Sequence, residues 1–273
     1  MLSKDKEFGI SILLAAFLML GCNSSGDLDS KKPISTNTES VQTNATPSQP
    51  NKDGTIPSGT GVEKEKPIAG KGNLQGKVFY NGQPAGGIEV KLCETYSQYL
   101  SGCGGETFTA KTDAQGEYLI KNVPPKIYEG LIVKVFDTNY YVFATSGIAQ
   151  AAKYNIEEGK TFFAPDTNLF KQDLKVLNPK AGSKINGSNI EVKWDAYPDA
   201  AYYKFSLYAD SSSGATTNYE YINKRVDGLS YVLDTPLSPG IYTVKVEAFN
   251  GNDVKLSQSS SDMKFTATGG AAK

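Results

Sequence analysis

From Leu74 to about residue 268 the chain repeats one pattern, in which short runs alternate apolar and polar residues. Gly, Pro, Asn or Asp breaks each run after roughly 8–12 residues. Ile88, Val90 and Leu92 alternate with Glu89 and Lys91, and Tyr242, Val244, Val246 and Ala248 alternate with Thr243, Lys245 and Glu247. Successive side chains of an extended strand point to opposite faces, so such runs bury one face and leave the other in water. Helical spacing is found only in "IAQAAKYNIEEG" at 148–159, which reads as one short helix or a loop. The pattern predicts an all-β chain arranged as sandwiches or barrels. About 200 residues follow position 73, enough for two domains of ordinary size.

The first piece is expected over 73–170. "GKVFYNGQPAGGIEVKLC" (76–93) reads as strand, turn at Asn81-Gly82, and strand. "FTAKTDAQGEYLI" (108–120) reads as a hairpin, because Asp113 can accept from its own backbone and Gly116 adopts positive φ at little cost. "LIVKVFD" (131–137) supplies another strand. The combination "GxV…GxPxxGIxVxL" followed by "TDAQGxYxI…VPP" resembles the carboxypeptidase regulatory-like domain, a transthyretin-type sandwich, over residues 76 to 125. Lys126 stands where that family often has Gly after the two prolines. The resemblance implies a non-catalytic accessory module related to carbohydrate-binding-like folds, with no binding residue to carry over.

The second piece is expected over 171–268, with 269–273 as a disordered tail. "IEVKWDAYPDAAYYKFSLY" (190–208) reads as two strands about a turn at Pro198-Asp199, and "LSPGIYTVKVEAFN" (237–250) as a further strand. These residues resemble the fibronectin type III domain. The resemblance makes Trp194 the buried core tryptophan and places Tyr242 at a tyrosine corner, its hydroxyl bonding back to the chain. No "RGD" occurs, so integrin-type recognition is not implied.

Upstream, "FGISILLAAFLML" (8–20) is a 13-residue apolar or small run. A bilayer-spanning helix needs about 20 residues, so this run matches the core of a secretory signal instead. It ends in "LMLGC", which resembles the lipobox of bacterial lipoproteins. By that resemblance residues 1–21 are a signal peptide, and Cys22 is acylated and becomes the mature N-terminus. Two or three acyl chains hold a protein where one gives only marginal binding. Asn23 resembles the pattern exported to an outer membrane. The implied location is the cell membrane or outer membrane, with the folded part periplasmic or extracellular.

Residues 22–72 contain few apolar residues and no aromatic one, so they are expected to form a disordered tether. As a coil, 50 residues span roughly 40 Å root-mean-square. "NAT" at 44–46 and "NGS" at 186–188 fit the glycosylation sequon but read as linker and turn.

The chain has no histidine, which removes His-based nucleophile activation, His general bases and His metal ligands. Its acidic residues are scattered, and "DAQG" lacks the alternating oxygen ligands of a calcium loop. No catalytic residue, metal site or cofactor is expected. Net charge is −1 with no basic block beyond "KEK" in the tether, so nucleic acid is not an expected partner. Cys93 and Cys103 remain as a pair in an exported context and are expected to form a disulfide. Within that hairpin Tyr96 and Tyr99 form a candidate ligand platform; the alternative is that the rings cover the domain's own core. In each of the pairs Tyr140-Tyr141 and Tyr202-Tyr203 one ring is expected in the core. The expected function is a membrane-anchored binding module for glycans or an envelope protein. A structural spacer or assembly subunit is the alternative, and a hydrolase without recognisable motifs is the enzymatic one.

Overall fold

The computed structural model describes residues 50–97, 102–146 and 150–269, and within them the chain is all-β. The first sandwich contains β1 (Gly72–Tyr80), β2 (Gln83–Pro84), β3 (Glu89–Ser97), β4 (Gly102–Lys111), β5 (Glu117–Val123), β6 (Ile127–Glu129), β7 (Leu131–Lys134), β8 (Tyr141–Phe143), β9 (Lys153–Asn155), β10 (Thr161–Phe163) and β11 (Thr167–Leu169). In one sheet β1 is central, antiparallel to β5 and β2 on one edge and parallel to β10 and β11 on the other. The other sheet has the order β4-β3-β7-β8, and β6 pairs with β9. Leu74 and Val78 of β1, Ile120 of β5, Val90 and Leu92 of β3, and Val133 of β7 meet in one core.

Two local features of this sandwich follow from chemistry. Gly76 lies opposite Tyr118, and a Cβ there would stand 2.5 Å from the Tyr118 hydroxyl, so the ring needs a glycine beneath it. In the 113–117 turn the Asp113 carboxylate accepts the N–H groups of Gln115 (3.0 Å) and Glu117 (2.9 Å). Gly116 there takes φ +72°, which costs a glycine little.

The second sandwich contains β12 (Lys171–Leu174), β13 (Val176–Asn178), β14 (Lys184–Asn186), β15 (Glu191–Trp194), β16 (Tyr202–Ala209), β17 (Lys224–Val226), β18 (Ser230–Val232), β19 (Gly240–Phe249), β20 (Lys255–Ser259) and β21 (Lys264–Thr268). A three-stranded sheet, β13-β15-β18, packs on a larger one, β12-β20-β19-β16-β17, to which β21 and β14 add along β19. Trp194, Tyr203, Phe205, Leu207, Tyr242, Val244, Val246 and Phe265 fill the space between them. The two sandwiches touch at the β1–β2 turn. There the Asn81 side-chain amide donates to Asp199 (2.9 Å) and accepts from Asn250 (2.8 Å). The Lys171 ammonium lies 5.1 Å from the Tyr80 ring centre and 5.3 Å from that of Phe136.

Three expectations are corrected or decided by the structure. The tether expected over 22–72 does not reach residue 72, because residues 54–65 lie along the first sandwich as a strap. Ile56 is 2% exposed and its N–H donates to Lys153 O (2.8 Å), while Gly59 N–H donates to Phe163 O (2.8 Å). The Gln75 side chain accepts from Lys64 N–H (3.0 Å) and donates to Val62 O (3.1 Å), and Asn73 donates to Glu65 O (3.0 Å). Lys64 closes the strap against Asp113 (2.6 Å) and Glu117 (2.7 Å). Composition pointed to disorder because this segment is polar. Its backbone is satisfied by two buried amide side chains and by main-chain groups of Lys153 and Phe163, with Ile56 alone supplying deep apolar burial. Second, of the helix and loop readings of 148–159, the described residues 150–159 follow the loop one, interrupted by β9 at Lys153–Asn155, whose pairing with β6 outweighs the helical spacing. Third, neither ring of Tyr140-Tyr141 is in the core, since the sheet ends there; Tyr140 is exposed and Tyr141 half-buried.

Candidate functional site

Cys93 on β3 and Cys103 on β4 form a disulfide between paired strands, with Cα atoms 5.3 Å apart. β3 continues past Cys93 to Ser97, so the bridge clamps a hairpin rather than closing a free loop. Tyr96 is half-buried. Its ring meets Phe143 edge-on at 4.8 Å between centres and covers Gly130, where a Cβ would lie 2.5 Å from Tyr96 Cβ. Burial also pushes its phenol above the ordinary tyrosine value. The half-buried ring thus packs on Phe143 and Gly130, the arrangement that the core-covering alternative describes. Tyr99 and Cys22 lie outside the described residues.

Trp194 is buried against Tyr203, with ring centres 5.6 Å apart. The Tyr242 hydroxyl lies 2.9 Å from Ser238 O, four residues upstream, and 3.0 Å from Thr216 O. It also lies 2.9 Å from Ser238 Oγ. That geometry closes the turn into β19 onto the loop after β16. It is structural chemistry and offers nothing to a ligand.

A different surface emerges on the outer face of the larger sheet in the second sandwich. Since Tyr203, Phe205 and Leu207 point inward on β16, Tyr202, Lys204 and Ser206 point outward. On β19 the outward set includes Lys245, Glu247 and Phe249. Register places Arg225, Lys204, Glu247 and Gln258 in one row across β17, β16, β19 and β20. Tyr202, Phe249 and Lys255 form the adjacent row.

The side chains on this face hold one another. Tyr202 and Phe249 stack with centres 5.2 Å apart and planes 6° from parallel. The Arg225 guanidinium lies 3.9 Å over Tyr202 and the Lys204 ammonium 4.5 Å over Phe249. Tyr202 is thus buried although it is on the outer side of the sheet, because a cation and a second ring cover it. Lys245 (2.9 Å) and Lys255 (2.5 Å) converge on Glu247, and Lys255 also reaches Phe170 at 3.8 Å from the ring centre. Burial works to raise the Glu247 carboxyl, but the hydrogen bond from Lys255 and the two ammonium charges outweigh it, so its pKa lies below the ordinary value. Burial draws the Lys255 ammonium below its ordinary value against the pull of Glu247, and the nearby Lys245 and Lys204 add to that fall.

Reading for basic blocks misses this surface. Its four cations are single residues on four strands, spread from Lys204 to Lys255, and only register brings them together. The available signal was the alternation itself, which puts Lys204 and Lys245 on the side away from the core. An open cleft of about 440 Å³ lies elsewhere, where the chain passes from β12 to β13, with Leu174, Val176, Leu177 and Met263 among its walls. It has room for a small apolar group.

No family model matches the chain, and no curated protein matches it. Among solved structures, it is similar to the fibronectin(III)-like modules of Clostridium thermocellum CbhA, with 12% identity over 72% of this chain and 92% of that one, at a TM-score of 0.28. It is similar to the major pilin SpaD of Corynebacterium diphtheriae, with 13% identity over 71% of this chain and 64% of that one (TM-score 0.27). The FN1–FN3 domains of chicken CNTN1 are 14% identical over 78% of this chain and 69% of that one (TM-score 0.25). Likeness at this level carries nothing about ligands or partners.

Proposed function

We propose that this chain is a bacterial envelope lipoprotein that acts as a non-catalytic binding module for glycans or a protein partner. Cys22 carries the lipid, a polar segment follows, and two sandwiches present the binding surface away from the membrane. The first sandwich is a carboxypeptidase regulatory-like domain and the second a fibronectin type III-like domain; the Tyr242–Ser238 corner supports the latter. The observation that carries the binding role is the outer sheet face, where Arg225 and Lys204 are held on two stacked rings and Arg225 keeps its two terminal amino groups beyond the Nε–Asp227 contact. A glycan array probed with the labelled full-length chain tests it: specific retention supports the module. Silence on the array, together with turnover in a broad hydrolase screen, would replace it with an enzyme.

The spacer reading is favoured by one separate observation. Asn81 bridges Asp199 and Asn250 across the junction, which suits a stiff two-lobe rod. Force spectroscopy on the chain separates the two roles, since a spacer holds load while binding nothing.

A further inference from the structure

We propose that the outer face of the second sandwich recognises an anionic polysaccharide, one bearing carboxylate, sulfate or phosphate groups along an extended chain. This inference rests on the binding-module reading and names the ligand class for it.

Four cations, Lys204, Arg225, Lys245 and Lys255, meet one carboxylate within the face, Glu247. At the rim Asp227 accepts from Arg225 Nε (3.1 Å) and Asp253 accepts from the Tyr202 hydroxyl (2.9 Å). Against these three carboxylates the four cations leave a surplus of one positive charge on a half-dry surface. Neighbouring strands lie about 4.8 Å apart, so the cations from β17 to β20 span about 14 Å. One extended polymer can therefore meet several of them at once. The cations are also held in place before any ligand arrives. Arg225 and Lys204 sit on ring faces, and Lys255 is fixed by Glu247 and by the Gln258 side chain (2.6 Å). Holding flexible heads in advance reduces the ordering cost of binding.

The face favours a polysaccharide over an acidic protein. Protein interfaces centre on buried aromatic or aliphatic anchors. Here Tyr202 and Phe249 are already covered, with relative exposures of 5% and 9%, and cannot enter a partner's pocket. A charged sugar polymer needs only the cations and an adjacent hydrogen-bonding group such as the half-exposed Gln258.

The test uses the full-length chain in detergent and three immobilised probes: polygalacturonate, neutral dextran of similar length, and single-stranded DNA of similar charge. We expect polygalacturonate to bind, dextran not to bind, and DNA to bind at least tenfold more weakly. Lys204→Gln/Arg225→Gln should weaken polygalacturonate binding by about tenfold, the combined effect of two exposed charge contacts. Lys111→Gln/Lys134→Gln, in the first sandwich, should leave it unchanged. A matching melting temperature for each variant shows that it is folded. Equal polygalacturonate binding by the first variant overturns the assignment of the face, and equal affinity for DNA overturns the polysaccharide class. Dextran binding without polygalacturonate binding overturns the anionic ligand and leaves the binding-module reading standing. Silence toward all three probes and a full glycan array overturns both.

Discussion

Replacing Tyr242 by Phe removes one hydroxyl and leaves the ring stacked on Phe265, whose centre is 5.7 Å away. The hydroxyl has one proton, so Ser238 O at 2.9 Å and Thr216 O at 3.0 Å share it. It can also accept from Ser238 Oγ at 2.9 Å and, more weakly, from Thr216 N–H at 3.4 Å. Ser238 Oγ is 3.1 Å from both Thr216 N and Thr216 Oγ1, so those groups keep partners in the variant. The uncompensated loss is one donated bond to a carbonyl and part of one accepted bond. Each net bond is worth about 1 kcal/mol, and a poorly solvated carbonyl adds to that, giving about 2 kcal/mol. If both sandwiches melt in one transition of about 200 residues, that corresponds to about 4–8 °C in melting temperature. Urea titration with calorimetry on wild type and Tyr242→Phe measures it. A loss below about 0.5 kcal/mol, within the range of ordinary surface substitutions, would refute the view that this hydroxyl closes the sandwich.

Cys22→Ser is expected to move the protein from membranes to the soluble fraction, and complete retention in membranes would refute the lipid anchor. Limited proteolysis should cut first on the N-terminal side of residue 50 and spare the strap, since residues 54–65 are hydrogen-bonded to the first sandwich; mass spectrometry of the first fragment decides. Tyr96→Ala should lower the melting temperature and leave any ligand affinity unchanged, because the ring packs on Phe143 and Gly130. Glu247 has a folded-state pKa below its unfolded value, so its contribution is present above the unfolded pKa and is lost as pH falls through the folded one. Stability measured below about pH 4.3, the usual glutamate value, should therefore fall less steeply in Glu247→Gln than in wild type; identical slopes would sink that assignment.

Much of the fold is legible in the sequence because strand alternation is a local property. Val90 and Leu92, or Val244 and Val246, are marked as inward-facing by their own neighbours, whatever they pack against. Asp113 and Gly116 specify a turn through groups within four residues of each other. The pair Cys93 and Cys103 is close enough in sequence that few alternatives exist once Cys22 is set apart. The strap, the role of Tyr96 and the cationic face are of another kind. Residues 54–65 look like linker because their partners, Gln75, Asn73 and Lys153, lie 8 to 99 residues away along the chain. Nothing near Tyr96 in sequence distinguishes a ligand platform from a core cover; β8 is what brings Phe143 against its ring. Lys204, Arg225, Lys245 and Lys255 are unremarkable alternating lysines and arginine on separate strands. Only the pairing of β17, β16, β19 and β20 sets them around a single glutamate, because cross-strand register is decided by the packing of the opposite, apolar face.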